Sequence, residues 1–177
     1  MEKLNLGCGN DIKQGWTNLD IANLPGVDVV HNLNKLPLPF NENSFDEILC
    51  QDVLEHIHFT ELLKDIHRIL KPGGVLDVRV PHFTSRNNFI DPTHIKTFSF
   101  QTFQFFVKDA LYGRHYYFDF HFTKIISTHI TFEKGYFIWN YLAEWFFNLN
   151  RKTKVLYEAT FFRNLFPAEN ILIKIKK

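Results

Sequence analysis

The sequence predicts a single α/β domain whose core is a doubly wound, mostly parallel sheet. Short apolar runs alternate with segments of helical periodicity, which is the pattern of strands joined by crossover helices. The chain has 177 residues, of which 45% are hydrophobic and 22% charged, and these shares are ordinary for a globular protein. A chain of this length can bury a core of its own, so we assign residues 1–177 to one domain.

Five strands are predicted in the first half of the chain. Each is a short apolar run that ends at a glycine, a proline or a polar residue. They cover residues 3–6, 17–19, 27–30, 45–50 and 75–80, and the second of them ends at Asp20. Residues 7–16 leave no space for a full helix, so the first crossover is predicted to be shortened.

A helix is predicted between the fourth and fifth strands. Leucine and isoleucine recur at helical spacing in residues 60–70, and Thr60 is suited to cap the first turn. The following Lys-Pro-Gly-Gly, residues 71–74, predicts a stop, because proline cannot continue a helix and glycine adopts the conformation in which helices end.

The second half is predicted to complete the sheet. Residues 82–98 form a polar loop, and Ser99 caps a helix that runs to about Leu111. Residues 118–132 form a strand, residues 136–149 a helix, and residues 169–175 an antiparallel C-terminal strand. The result is a seven-stranded sheet with helices on both faces. Sheets of this kind bind ligands at the carboxyl ends of the strands, where the strand order reverses.

Charges and aromatic residues divide unevenly between the two halves. Residues 1–82 hold 7 Lys/Arg and 12 Asp/Glu, a net charge of −5, whereas residues 83–177 hold 13 and 7, a net charge of +6. Of the 20 phenylalanines, 17 lie after position 82. The basic half lacks the dense stripe of lysine and arginine that nucleic-acid binding requires, so a solvated face is favoured over a nucleic-acid partner.

No sequence feature indicates export or membrane insertion. The apolar runs are shorter than the ~18–20 residues that span a bilayer, and the N-terminus lacks the pattern of a secretory signal. Cys8 and Cys50 are too few for a disulfide framework and fit a reducing compartment. We therefore expect a cytoplasmic protein.

The glycines after the first strand suit a ligand site. Without side chains, Gly7 and Gly9 let the backbone approach a ligand closely. A dinucleotide site would need a third glycine where Ile12 stands, and an acidic residue farther along than Asp20. A phosphate-binding loop is excluded, because no Gly-Lys-Ser or Gly-Lys-Thr follows.

Five motifs follow one another in a fixed order. The chain contains LNLGCGN, TNLD, LPLPF, NSFDEILCQDVLEHI and LKPGG. Each motif is common, but the ordered set, over residues 3–80, resembles the class I S-adenosylmethionine-dependent methyltransferases. The resemblance implies a Rossmann-like sheet with residues 1–81 as the cofactor-binding half and residues 82–177 as the acceptor-binding half. It also implies S-adenosylmethionine as cofactor and S-adenosylhomocysteine as product.

The resemblance assigns cofactor contacts to particular residues. It places around the methionine part Asn5, Gly7, Cys8, Gly9 and Asn10. Asp20, with Ile21 beside it, would accept hydrogen bonds from both ribose hydroxyls, as an ionised carboxylate can. Asn32 and Leu33 would border the adenine, and the sulfonium end would lie above Gln51, Asp52 and His56.

The loop after the fifth predicted strand carries the candidate catalytic residues His82, Asp91 and His94. Removing a proton from an acceptor needs a base that titrates near neutral pH, and an aspartate can orient a histidine for that role. The alternative is that Asp91 and His94 only fix the loop. A metal site formed by His82, Asp91, His94, His115 and His121 is also conceivable, but the spacing matches no structural zinc pattern, so none is predicted.

The predicted helix over residues 136–149 has one narrow polar stripe, formed by Asn140, Glu144 and Asn148. The favoured interpretation is packing on the sheet or on a second subunit, which would make a homodimer through the aromatic half. Peripheral membrane contact, with Arg151, Lys152 and Lys154 beside the helix, is a less favoured alternative. The third interpretation is that this helix forms a lid over a hydrophobic or lipid-linked acceptor.

Together these observations predict an S-adenosylmethionine-dependent methyltransferase. Its acceptor would be an oxygen or nitrogen atom of a small molecule or saccharide. Two alternatives stay open: a module that binds the cofactor without catalysis, and an RNA methyltransferase that uses the basic half.

Overall fold

A computed structural model describes residues 1–109, 111–135 and 137–177, and of His115 only the backbone. The strands are β1 (Lys3–Leu6), β2 (Thr17–Asp20), β3 (Val29–Val30), β4 (Phe45–Gln51), β5 (Leu70–Pro81), β6 (Lys124–Phe132) and β7 (Ala168–Lys176). The α-helices are α1 (Phe59–Ile69), α2 (Asn87–Ile90), α3 (Asn140–Phe147), α4 (Arg151–Ala159) and α5 (Phe162–Leu165). Short 3-10 helices cover Leu54–His56, Thr102–Phe106, Leu111–Gly113 and His115–Tyr117.

All seven strands form one sheet in the order β3-β2-β1-β4-β5-β7-β6. Neighbours from β3 to β5 are parallel, whereas β7 is antiparallel to both β5 and β6. The predicted doubly wound, mostly parallel sheet with an antiparallel C-terminal strand is therefore confirmed. The strand order reverses between β1 and β4, so their carboxyl ends mark the expected ligand site.

The core lies on one face of the sheet. Alternate residues of the central strands are fully buried leucine, isoleucine and valine, and Leu62, Leu63 and Ile66 of α1 join the same cluster. Phenylalanines from the second half extend this cluster, among them Phe98 and Phe103 with parallel rings 5.8 Å apart. Burial therefore explains part of the uneven phenylalanine content.

The opposite face of the sheet carries charged and polar side chains. Lys3 on β1 pairs with Glu47 on β4 at 2.7 Å, and Asp77 on β5 pairs with Lys174 on β7 at 2.8 Å. The connections from β1 to β2 and from β2 to β3 contain no helix. Helical cover is therefore concentrated on the apolar face, which modifies the expected arrangement with helices on both faces.

Several predicted boundaries need correction. Helix α1 begins at Phe59 after His58, so Thr60 lies inside the helix and does not cap it. Strand β5 starts at Leu70, so the Lys-Pro-Gly-Gly segment belongs to the strand. Strand β6 begins at Lys124 and α3 at Asn140, later than predicted in both cases. Ala110 and Tyr136, within or beside predicted helices, lie outside the described residues.

Residues 99–109 do not form the predicted long helix. Only a 3-10 helix over Thr102–Phe106 is present, and Phe98, Phe100, Phe103 and Phe106 are all buried. The Ser99 hydroxyl donates to Glu158 Oε2 at 2.6 Å rather than capping a helix. Aromatic burial at this spacing overrides the tendency to form a regular helix.

Helix α3 presents its polar stripe to the edge strand β6. Asn148 accepts a hydrogen bond from the backbone N–H of Ile130 at 2.9 Å and donates one to its carbonyl at 2.8 Å. Glu144 accepts one from the N–H of Phe132 at 3.0 Å. The stripe therefore satisfies backbone groups that an edge strand leaves unpaired.

Candidate active site

The loop after β1 turns sharply at Gly7. Its backbone has φ +69°, and the N–H groups of Gly7 and Cys8 both donate to the carbonyl of Leu19, at 2.8 and 3.0 Å. A Cβ atom at Gly7 would lie 2.4 Å from Val53 Cγ2, so a side chain is excluded there. At Gly9, with φ +49°, no atom lies within 4 Å of such a Cβ, so this glycine borders open space.

Asp20, at the end of β2, is joined to this glycine loop. Its Oδ2 accepts the N–H of Gly9 at 2.8 Å, and its Oδ1 accepts the N–H of Ala22 at 2.9 Å. These bonds fix the carboxylate at the edge of the sheet. A carboxylate offers about four acceptor positions, so further donors, such as a pair of hydroxyls, can still bind it.

Asn5 supports the glycine loop from within the protein. Its side chain is buried and donates to the carbonyl of Asp11 at 2.8 Å and to Asn18 Oδ1 at 3.1 Å. Asn18 Oδ1 also accepts the N–H of Lys13 at 2.9 Å. This network holds the short connection in place of a crossover helix, and direct contact of Asn5 with a cofactor stays a prediction.

The other predicted cofactor residues surround the same edge. Asn10 and Ile21 are exposed, whereas the Cys8 side chain is buried, which raises the pKa of its thiol. The N–H of His31 donates to the carbonyl of Asp20 at 2.8 Å, which brings the following residues Asn32 and Leu33 to the end of β2. The side chain of Asn32 accepts the N–H of Asn34 at 2.9 Å and so shapes this loop.

At the end of β4, Gln51 is half-buried, and Asp52 has a positive φ of 55°. The guanidinium of Arg79, on the neighbouring strand β5, binds both carboxylate oxygens of Asp52. The backbone N–H of Asp52 donates to the carbonyl of Arg79 at 2.9 Å. These contacts fix the Asp52 carboxylate at the carboxyl edge of the sheet.

A pocket of about 460 Å³ opens beside this edge. Charged and polar groups dominate its lining, which includes Asp52, Glu55, His56, Arg79, Asp91 and His94. The structure therefore brings together two of the three predicted catalytic residues, Asp91 and His94, with the predicted cofactor residues Asp52 and His56.

A hydrogen-bond relay orders the loop side of the pocket. Asp91 Oδ1 accepts from the N–H of Thr93 at 2.8 Å and from its hydroxyl at 2.6 Å, and these bonds hold the pKa of Asp91 below its usual range. Because the Thr93 hydroxyl donates to Asp91, its oxygen accepts the Nδ1–H of His56, at 2.8 Å.

Glu55 and His94 form the floor of the pocket. Glu55 is fully buried, and neither of its carboxylate oxygens has a hydrogen-bond partner among the described residues. Burial raises the pKa of Glu55 to about 7. The Nε2 of His94 lies 4.0 Å from Glu55 Oε1 and 3.8 Å from Asp91 Oδ2. Burial, and then the charge of the adjacent His56, lower the pKa of His94.

His82 does not line this pocket, and its catalytic role stays a prediction. The side chain is fully buried; Nδ1 accepts the N–H of Thr84 at 3.1 Å, and Nε2 lies 3.0 Å from Glu158 Oε1. Glu158 also binds the N–H of Phe100 at 2.9 Å. Both imidazole nitrogens of His82 thus have partners inside the protein, and the contact with Glu158 joins the end of β5 to α4.

Sequence reasoning missed Glu55 and Arg79 as site residues. The signal for Glu55 was an acidic residue between leucine and histidine in the otherwise apolar VLEHI run. The signal for Arg79 was a cation within the apolar strand β5.

Among the described residues, a metal cation could be held by Glu55, His56 and His94, whose ligand atoms lie within 4.8 Å of one another. This group differs from the five residues weighed from the sequence, of which the His115 side chain lies outside the described part.

Comparison with known proteins finds similarity to methyltransferases over part of the chain. Residues 8–78 match the family model of the methyltransferase domain. An uncharacterized protein of Methanocaldococcus jannaschii is 36% identical over 88 residues, which cover 45% of this chain and 39% of that protein. A demethylmenaquinone methyltransferase of Geobacillus stearothermophilus is 34% identical over 67 residues, covering 37% of this chain and 28% of that enzyme. The matched regions thus cover well under half of these relatives.

The fold comparison extends over nearly the whole chain. A SAM-dependent methyltransferase from Archaeoglobus fulgidus superposes with a TM-score of 0.58 at 18% identity, covering 99% of this chain and 86% of that one. The resemblance expected from the motifs is confirmed, and the chain has the fold of the class I S-adenosylmethionine-dependent methyltransferases. Within the described residues, no helix is long and apolar enough to cross a membrane.

Proposed function

We propose that this protein is an S-adenosylmethionine-dependent methyltransferase that methylates an oxygen or nitrogen atom of a small-molecule or saccharide-type acceptor. The observation that carries the proposal is that Asp20 binds the N–H of Gly9 at the carboxyl end of β2, while the pocket of His94 is lined by residues that follow β4 of the same sheet. The match of residues 8–78 to the methyltransferase domain supports it.

The residues at this edge suit the cofactor. Asp20 is fixed by two backbone N–H groups and keeps acceptor positions for ribose hydroxyls. Gly9 borders open space, which lets a ligand approach the backbone. When bound, S-adenosylmethionine supplies a methyl group on a positively charged sulfur, a leaving group that needs no further activation.

The pocket residues would orient the acceptor and take its proton. With the cofactor bound, the acceptor atom would take the methyl group, and the electron pair of the broken carbon–sulfur bond would stay on sulfur. The proton of the acceptor passes to the imidazole of His94. Its lowered pKa keeps this imidazole neutral at pH 7, which is the form that accepts a proton. The polar lining of the pocket favours a hydroxylated acceptor over an apolar one.

Turnover by variants tests these roles. His94→Gln should lower the rate of S-adenosylhomocysteine formation with a hydroxylated acceptor by about 10²–10⁴-fold, the usual contribution of a general base. His58→Gln, at an exposed histidine outside the pocket, is the matched control. The wild-type rate should be level at neutral pH and fall only below about 6.5, the ordinary pKa of histidine, because the pKa of His94 is lowered. Equal rates for His94→Gln and the control would remove His94 from the mechanism.

A further inference from the structure

Helix α3 turns its polar stripe toward the protein, with Ala143 and Phe147 buried beside it, and its other large apolar residues toward solvent. Asn148 and Glu144 bond the backbone of β6, and Asn140 donates to the carbonyl of Glu133 at 2.5 Å. Leu142 and Trp145, on other sides of the helix, are 71% and 65% exposed. A surface helix of a globular protein normally has the reverse arrangement, so this exposed surface requires a partner.

The exposed apolar residues continue beyond α3 into the flanking segments. We call them together the α3 surface: Phe137, Ile138, Trp139, Tyr141, Leu142, Trp145, Phe146, Leu149, Leu156, Phe161 and Leu165. Tryptophan and tyrosine are the side chains enriched at the boundary between lipid headgroups and acyl chains. A surface of this composition suits a lipid interface.

Cations predominate among the exposed charged residues around the α3 surface, and the neighbouring Glu133 is paired with Arg86 at 3.0 Å. Arg151, Lys152 and Arg163 are exposed. Glu144 and Glu158 are the two acidic residues in positions 134–168 of the sequence, and both are turned inward to backbone partners. Exposed cations beside an apolar surface complement anionic lipid headgroups.

A cavity of about 580 Å³ shares lining residues with the α3 surface and with the active-site pocket. Its apolar lining includes Phe89, Phe137, Trp139 and Leu165. Asn87 and Glu169 line both this cavity and the pocket of His94. An acceptor with a polar head in the pocket could therefore extend an apolar chain through this cavity to the α3 surface.

We infer that the α3 surface binds the face of an anionic lipid membrane and that the cavity behind it admits the chain of an amphiphilic acceptor. The second part rests on the proposed function, whereas membrane binding does not depend on it. The sequence-based preference for packing on the sheet is met by the polar stripe and by the buried Ala143 and Phe147, whereas Leu142 and Trp145 of the same helix remain exposed.

Vesicle co-sedimentation tests membrane binding. The wild-type protein should bind vesicles of phosphatidylcholine and phosphatidylglycerol at least tenfold more tightly than vesicles of phosphatidylcholine alone, and high salt should weaken the binding. Leu142→Glu combined with Trp145→Glu should reduce it at least tenfold. Ile126→Glu, at a half-exposed residue of β6, adds the same kind of charge outside the α3 surface and should leave binding unchanged.

Two further readouts keep the result unambiguous. The variants change exposed side chains, so they should unfold at the wild-type temperature and still bind S-adenosylhomocysteine. If neither the wild type nor any variant bound S-adenosylhomocysteine, the proposed function would be contradicted, but the inference of membrane binding would still stand. The inference would be overturned if the wild-type protein did not bind anionic vesicles. It would also be overturned if the wild type were a dimer that Leu142→Glu with Trp145→Glu converts to a monomer without any change in vesicle binding.

The acceptor part has its own test. With acceptors that share one polar head, the wild type should methylate the one carrying a long alkyl chain with at least a tenfold lower KM than the one without it. Leu165→Glu, which places a charge in the cavity, should remove that difference. Equal KM values for the two acceptors would refute an amphiphilic acceptor.

Discussion

Two glycines in one loop have different physical roles. Gly7 has a positive φ and faces Val53 at a distance that excludes a Cβ, whereas Gly9 has a positive φ and open space. The first is therefore required by packing, and the second leaves room for a ligand. The sequence alone predicts a turn at both positions and cannot separate these roles, because the contact with Val53 is made across 46 residues.

Alanine substitution separates the two roles. Gly9→Ala should cost about 1–2 kcal/mol for the left-handed backbone, whereas Gly7→Ala adds the clash with Val53 and should cost more. Thermal unfolding gives the difference, at roughly 2–4 °C for each kcal/mol in a chain of this size. Gly9→Ala should still weaken S-adenosylhomocysteine binding at a temperature where it is folded. Equal unfolding temperatures for the two variants would contradict the packing role of Gly7.

The buried Glu158 is predicted to be structural. It accepts hydrogen bonds from the N–H of Phe100 and the hydroxyl of Ser99, and it lies beside His82 Nε2. Glu158→Ala leaves these donors buried without a partner and should cost about 3 kcal/mol in the free energy of unfolding. Denaturant titration measures this cost, and Glu169→Ala, at a half-buried glutamate, is the comparison. If Glu158→Ala lost methyl transfer without losing stability, His82 and Glu158 would have a catalytic role.

At the scale of elements, helix α3 illustrates what a residue pattern can specify. The spacing of Asn140, Glu144 and Asn148 predicts a polar stripe, and the stripe is present. Its partner could not be predicted, because an edge strand with unpaired backbone groups exists only after the sheet has formed. The same reason explains residues 99–109, where burial of phenylalanines replaced the predicted helix by a 3-10 helix.

The stripe should stabilise the sheet edge. Asn148→Ala removes both hydrogen bonds to the backbone of Ile130 and should cost about 1–3 kcal/mol, the penalty for unsatisfied buried groups. Asn164→Ala, at an exposed asparagine, should cost nothing measurable. Hydrogen exchange at the Ile130 amide should accelerate in the first variant alone. Unchanged exchange would mean that α3 does not protect β6.

At the scale of the whole molecule, the sheet was the most predictable part. Apolar runs and their terminating residues located the strands, and the short segment 7–16 predicted the connection without a helix. The positions of candidate residues were predictable where they lie directly at strand ends, as Asp20 and Asp52 do. The orientation of a side chain was less predictable where tertiary packing determines it. His82 and His94 belong to one predicted loop, but only His94 lines the pocket.

Calorimetric titration with S-adenosylhomocysteine tests the central claim most directly. Wild-type protein should bind one equivalent, and Asp20→Asn should bind at least tenfold more weakly, because the amide retains the shape but loses the charged acceptor. Asp11→Asn, at an exposed aspartate near the same loop, controls for the change in net charge. NAD should not bind. Absence of binding by the wild type at millimolar ligand, or equal binding by Asp20→Asn, would contradict a cofactor site at this edge of the sheet.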